Sequence, residues 1–263
     1  MDLGLKGRVA IITGASQGIG KAIAEGLAKE GASLVICARN TEILEKTAES
    51  IRQETKANVI ALTADVTKAS DIERLVNQAV ASFGRIDILI NNSGGPHATK
   101  FQTTSIEAWQ SGIDLILMSV VNACKAVIPH MQKEKWGRII NITSISVKQP
   151  INDLILSNSL RAGVVGLAKS LANELGKDNI LVNNVCPGYT LTERLQELVD
   201  IRAKNAQVSH EQIKKQWEAD VPIGRLAQPE EIADYVVFLA SERASYINGT
   251  TVAVDGGLVK SIM

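Results

Sequence analysis

The chain has few aromatic residues and few cysteines, no excess of charge of either sign, and no long uninterrupted apolar run. Of its 263 residues 3% are aromatic and three are cysteine, and 28 Lys+Arg balance 28 Asp+Glu. Neutrality removes the basic footprint that a nucleic-acid backbone or an anionic membrane surface requires. Cys37, Cys124 and Cys186 are odd in number and far apart, which argues against a disulfide framework and for reduced, buried thiols in the cytoplasm. No apolar run reaches the roughly 20 residues of a spanning helix. The opening MDLGLKGRVAIITG lacks the charged-then-apolar build of a secretory leader. His130 and His210 stand in helical stretches without a second ligand at useful spacing, so no metal site is expected. The partner to look for is a small molecule.

What is present is an alternation of two periods. Short β-branched runs recur at 8–13, 33–38, 58–63, 86–91, 138–143, 180–186 and 250–255. Between them lie helical stripes such as Ile19, Ile23, Leu27 and Ala28, or Ile72, Leu75, Val76, Ala79 and Val80. The strands are apolar on both faces, as in a parallel sheet covered by helices. The pattern predicts an α/β fold over 1–263: a single Rossmann-type, doubly wound domain of about seven strands. Two long helices are expected near 104–134 and 156–176. Residues 191–220 interrupt the rhythm with a charged, helical insertion after strand six. Long insertions at the carboxyl ends of strands are commonly lids, and a substrate lid lined by Leu195, Leu198, Val199, Ile201 and Trp217 is expected; the alternative is a solvated helical hairpin.

The first strand runs through Thr13, Gly14, Ala15, Ser16, Gln17, Gly18, Ile19 and Gly20 directly into a helix. Glycines there permit a tight turn and close approach of the backbone to a pyrophosphate seated on the helix N-terminus. The spacing is G-x-x-x-G-x-G, so position after strand one carries more of the argument than the motif does. At the end of strand two, where an acidic residue would hold a ribose 2′-hydroxyl, stand Arg39 and Asn40. An arginine there favours a 2′-phosphate, hence NADP over NAD; the alternative is a surface pair with Glu42 or Glu45.

These residues, with Asp65-Val66, Asn91-Asn92-Ser93-Gly94, Asn141-Ile142-Thr143-Ser144, Pro187-Gly188, Thr190 and Thr192, and the run from Gly224 to Gly257, resemble the short-chain dehydrogenase/reductase family. The resemblance covers about Lys6 to Gly257 and is nearest to the branch of 3-oxoacyl-acyl-carrier-protein reductases. It implies an NADP(H)-dependent oxidoreductase acting on a carbonyl or alcohol, assembled as a homotetramer or dimer. It implies cofactor contacts at Gly14, Ser16, Gln17, Gly18, Ile19, Gly20, Asp65, Val66, Asn92, Ser93, Gly94, Pro187, Gly188 and Thr190.

The catalytic set departs from that family's pattern. The family uses Asn, Ser, and Tyr followed four residues later by Lys. Here Ser144 fits the serine, whereas Ser157 falls at the tyrosine, Arg161 at the lysine and Ile116 at the asparagine. Four residues beyond Tyr189, Tyr235 and Tyr246 lie Glu193, Leu239 and Thr250, so no Tyr-x-x-x-Lys exists in the chain. An aliphatic hydroxyl is far less acidic than a phenol, and a guanidinium stays protonated near neutrality. Ser144, Ser157 and Arg161 can still donate hydrogen bonds to a developing alkoxide, as an oxyanion hole does. Loss of general acid catalysis removes about 10²–10⁴-fold, whereas the advantage of holding donor and acceptor together survives. Two readings follow: an oxidoreductase with an atypical site on Ser144, Ser157 and Arg161, or a cofactor-binding protein that serves as a sensor or partner subunit. Tyr189, His97 and Lys148 are the candidate substitute acids, each more simply read as pocket wall or loop.

Overall fold

The computed structural model describes residues 1–262. Seven strands form one parallel sheet: β1 (Val9–Ile12), β2 (Ser33–Ala38), β3 (Val59–Thr63), β4 (Ile88–Asn91), β5 (Gly137–Ile142), β6 (Ile180–Pro187) and β7 (Thr251–Val254). Their order is β3-β2-β1-β4-β5-β6-β7. Each matches a β-branched run in the sequence to within two residues. Successive side chains alternate between two cores. Ala10, Ile12, Leu34, Ile36, Ile88 and Ile90 face α1 (Gly18–Lys29), α2 (Thr41–Thr55) and α9 (Pro229–Leu239). Ile11, Val35, Cys37, Leu89 and Ile139 face α3 (Ala69–Phe83), α5 (Ser119–Glu134) and α6 (Ile155–Leu175). Both faces are dry, which is why the strands read as continuous apolar runs. The strand order reverses between β1 and β4, and a crevice opens there at the carboxyl ends.

The first long helix is not uniform. α4 (Ile106–Ile113) continues through a π-helical turn, Asp114–Met118, into α5. The run Ile106–Glu134 is long and apolar enough to cross a bilayer by length and composition, which corrects the expectation that no such stretch exists. Part of that apolar content packs in the sheet's second core, where Ile116, Val120, Val127 and Met131 are buried, though only 39% of its apolar window is buried. All three cysteines are free and buried, as expected.

The 191–220 insertion forms two helices, α7 (Glu193–Ala206) and α8 (His210–Asp220). Thr192 caps α7, and Ser209 with Gln212 closes a capping box on α8. The pair has its own small core of Leu195, Val199, Ala203, Ile213 and Trp217, closed by Leu226.

A row of amides not anticipated from the sequence crosses the sheet near its carboxyl edge. Asn91, Asn141, Asn184 and Thr251 are register partners on β4, β5, β6 and β7. Asn91 Nδ2 donates to Asn141 Oδ1 (2.8 Å), Asn141 Nδ2 to Asn184 Oδ1 (2.9 Å), and Asn184 Nδ2 to Thr251 Oγ1 (3.0 Å). Replacing Asn141 by Ala leaves a donor and an acceptor unpaired in the core, at about 1–3 kcal/mol each. Urea unfolding of Asn141→Ala is expected to show a loss in that range, and an unchanged midpoint would refute the row's structural role.

Candidate active site

The crevice is a cleft of ≈ 1030 Å³ that gathers residues from both halves of the sheet. Gly14, Ser16, Gln17, Gly18 and Ile19 line one end, with Arg39, Asn40, Asp65 and Val66 beyond them; Asn92, Ser93 and Gly94 form the middle; Ser144, Ser157, Arg161, Pro187, Gly188 and Thr190 line the other end. Gly20 is the exception. It lies behind the turn, where an added Cβ would collide with Gly14 O, so its task is close packing of α1 on β1.

The cradle is held by the β1–β4 junction. Gly14 and Gly18 have φ of +59° and +56°, the left-handed region that favours glycine. Thr13 Oγ1 donates to Asn92 O (2.7 Å), and Asn92 Nδ2 donates to Gly14 O (2.9 Å). The Asn92 side chain is thereby committed to the turn rather than pointed at a ligand. A Cβ on Gly14 would come within 2.7 Å of Asn92 O, so the turn is shaped around the missing side chains, and the bare helix N-terminus faces the cleft. That arrangement fits the pyrophosphate of a dinucleotide.

Arg39 is exposed and, among the described residues, has no ion pair: Glu42 is taken by Lys46 and Glu45 lies by Arg52. The guanidinium is thus available to a 2′-phosphate. Asn40 has a second task, since its Oδ1 caps α2 at Ile43 N (3.0 Å). Asp65 accepts from Thr67 N and Oγ1, which braces the loop after β3. Thr190 is buried, with its hydroxyl donated to Gly188 O (3.2 Å), so it shapes the turn from within.

At the opposite end Ser157 and Arg161 lie one turn apart on α6, 7% and 8% exposed. Ser157 Oγ lies 3.3 Å from Ser146 Oγ, and Ser144 Oγ accepts from Ser146 N (3.1 Å). Ser146, two residues beyond the predicted serine, was missed in the sequence; only its place in the same short turn could have suggested it. Arg161 Nη1 donates to Ile142 O (3.0 Å), while its Nε has no hydrogen-bond partner among the described residues. Burial, with the Arg194 charge adding, pushes the guanidinium down to about 10, so it remains cationic at neutral pH. No acidic side chain pairs with it among the described residues. Behind it a second cavity of ≈ 20 Å³, room for one water, is bounded by Ile116, Ser119, Asn91 and Asn141. Ile116 offers that space no polar atom.

The candidate substitute acids fare poorly. Tyr189 lines the cleft but stacks on Trp217 (4.7 Å, 15°), and desolvation raises its pKa, making it a weaker proton donor. His97 is exposed, and neither it nor Lys148 lines the cleft. Cys186 is buried against Thr143 Oγ1 (3.1 Å) with its pKa raised by burial, which suits a core thiol. Of the expected apolar lining from the insertion, Leu195, Leu198, Ile201 and Trp217 do face the cleft; Val199 is wholly buried in the α7–α8 core instead. Arg194 and Arg202, both missed in the sequence, also line it. A guanidinium in a charged helix has no signature that separates a cleft residue from a solvated one. Arg194 Nη2 reaches across to Pro96 O (2.6 Å).

A family model described as "Enoyl-(Acyl carrier protein) reductase" matches residues 14–259. The chain belongs to the short-chain dehydrogenase/reductase family. It is 36% identical over 254 residues to the 3-oxoacyl-[acyl-carrier-protein] reductase of Chlamydia muridarum, covering 97% of this chain and 98% of the relative. The enzyme of that name from Escherichia coli is 36% identical over 256 residues, covering 97% and 99%. Among solved structures, L-sorbose reductase from Gluconobacter frateurii, complexed with NADPH and L-sorbose, superposes with a TM-score of 0.95 at 36% identity, with both chains covered completely. The seven-stranded, doubly wound fold is thus that of the family, and the family's members here are reductases.

With Arg39 as the 2′-phosphate group, its replacement by Ala would remove a charge-assisted contact worth about 1.5–3 kcal/mol. The expected result is roughly 10- to 150-fold weaker NADPH binding with NADH binding little changed, read by titrating the reduced nicotinamide fluorescence. Equal loss for both cofactors would refute Arg39 as the 2′-phosphate group.

Proposed function

We propose that this protein is an NADP(H)-dependent oxidoreductase of a carbonyl or alcohol substrate whose proton-donating tyrosine has been replaced by an oxyanion-binding set, Ser144, Ser157 and Arg161. The observation that carries the reading is the buried, cationic Arg161 lining, with Ser144 and Ser157, a cleft that also holds a phosphate cradle. NADPH supplies a hydride when bound. Arg39 and the Gly14–Gly18 turn would hold its phosphates, and the β4 loop from Asn92 to Gly94 would line the same site. Reduction of a carbonyl places negative charge on its oxygen. Arg161, Ser157 and Ser144 donate hydrogen bonds to that oxygen, and a proton from water completes the alcohol. None of the three need lose its own proton. The α7–α8 pair acts as the lid, which its Arg194 link to Pro96 supports. Exposed Ala162, Gly163 and Gly166 and half-buried Val165, Leu167 and Leu171 on α6 support a homo-oligomer, dimer or tetramer, built on that helix. Three buried free thiols support a cytoplasmic setting.

The test compares NADPH oxidation by the native protein and by Ser157→Tyr/Arg161→Lys against one panel of 3-oxoacyl thioesters, ketones, aldehydes and keto sugars. Turnover by the native protein is expected. NADPH binding without turnover, together with activity in the double variant, would overturn the reading in favour of a cofactor-binding sensor or partner subunit.

Arg161→Met is expected to lower turnover about 10²–10³-fold, the usual effect of removing an oxyanion donor. The same change relieves an unpaired buried charge, so the Tm is expected to hold or rise. The protonated guanidinium is the working form. The native reduction rate should therefore be flat from pH 6 to 9 and fall as pH rises through about 10, and Arg161→Met should lack that fall.

A further inference from the structure

The substrate end of the cleft holds more positive charge than its own residues neutralise. Three guanidiniums line it: Arg161, Arg194 and Arg202. Arg194 is accounted for, paired with Glu197 (2.9 Å) and bonded to Pro96 O. Lys100, further out, lies 3.8 Å from Asp153. Arg161 is more than nine-tenths buried with Nε unpartnered, and no carboxylate answers it among the described residues. Arg202, half-buried on α7, is held over the face of Trp217 at 5.4 Å, and its charge is felt by Tyr189. It too has no ion pair among the described residues. The acids on the cleft wall are engaged or distant in kind: Asp65 is tied to Thr67, Asp153 faces Lys100, and Glu193 stands by Gly18 at the phosphate cradle. Asp220 acts on Tyr189 but does not line the cleft.

Buried and half-buried charges in folded proteins are ordinarily paired, and a guanidinium is matched in shape to a carboxylate. A chamber with low-dielectric walls and two unanswered cations focuses positive potential on whatever enters it.

We propose that the substrate is an oxo acid, a carbonyl compound bearing a carboxylate, and that Arg202 on the α7–α8 pair is the residue that recognises the carboxylate. The inference rests on the carbonyl-reductase reading and names the substrate class of that site. The stacked Tyr189 and Trp217 rings provide the apolar wall for the carbon chain, and Trp217 holds the guanidinium in place through its π face. Arg161, at the floor, is left to the reacting oxygen. Arg202 is here a specificity residue: it changes which carbonyl compounds are accepted and takes no part in hydride transfer.

The experiment uses matched pairs, 2-oxohexanoate and 4-oxopentanoate with their methyl esters, and compares kcat/KM for acid over ester. In the native protein the acid is expected to be favoured by about tenfold or more, as one charge-assisted contact allows. In Arg202→Gln that preference is expected to collapse towards one, with the loss carried in KM, and Arg202→Lys should recover part of it. Circular dichroism and thermal unfolding verify that both variants are folded. Acid and ester accepted alike by the native protein, or an acid preference that survives Arg202→Gln, would overturn the proposal. Hexanoate, which has no carbonyl to reduce, gives a readout independent of turnover. Its binding to the NADPH complex, followed by calorimetry and by tryptophan fluorescence, should be detectable in the native protein and lost in Arg202→Gln. Hexanoate binding without turnover of any pair would refute the reductase reading and keep the carboxylate site. Absence of hexanoate binding in the native protein would refute the site itself.

Discussion

The carboxyl edge of the sheet depends on a chain of buried polar contacts that ties five strands together. Thr13 and Asn92 clasp the ends of β1 and β4, and the amide row from Asn91 through Asn141 and Asn184 to Thr251 carries the bracing across β5, β6 and β7. Each member has its partner inside the protein, so the row rigidifies the edge without leaving a polar atom stranded. Every loop of the cleft leaves the sheet from this edge. The glycine turn, the Ser93–Gly94 loop, the serine turn at 144–146 and the Pro187–Gly188 turn are therefore presented in fixed relation to one another. A site assembled from the ends of several strands needs such a base, because a small shift between two strands would move the two ends of a bound dinucleotide apart.

On that base sits a group that costs stability. Arg161 is buried and, among the described residues, faces no counter-ion and has one nitrogen unpaired. Structure-based economy would replace it with an apolar residue, as buried charges without partners are usually poor investments in folding. Its presence in the cleft makes sense if the charge is used there, on an oxygen that becomes negative during reaction. The same logic connects the departures from the family's catalytic pattern. Ser157 carries a hydroxyl where the family has a phenol, Ile116 has no polar group where the family has an asparagine, and Arg161 stays cationic at neutral pH. On the proposed reading, these changes turn a proton-donating site into one that stabilises charge.

Much of the fold was legible in the sequence. The seven β-branched runs were apolar on both faces because both faces are covered, and helices between them left few topologies open. Bounds agreed to within two residues except where tertiary context intervened. The π turn at Asp114–Met118 has no sequence mark, since a single inserted residue hardly disturbs the apolar spacing. The amide row was also hidden: Asn91, Asn141 and Asn184 sit in three separate runs, and only strand register brings them side by side. Within the site, glycines and the residues after each strand could be named because the turn chemistry is local. Gly20 lies behind the turn and Val199 in the α7–α8 core, whereas Asn92 lines the cleft while its side chain braces the turn.

The sequence by itself determined the doubly wound sheet, the cradle after β1, the arginine at the end of β2, and the absence of any Tyr-x-x-x-Lys. These follow from local periodicity, turn chemistry and residue identity, none of which needs distant contacts. Tertiary structure decided which charges are answered. Arg194 finds Glu197 and Pro96, Glu42 and Glu45 turn to other cations than Arg39, and Arg161 and Arg202 are left facing the cleft. Pairing of charges depends on side chains that meet only once remote segments are folded together, and on how much water remains between them. That information is carried by three-dimensional proximity and burial, not by spacing along the chain.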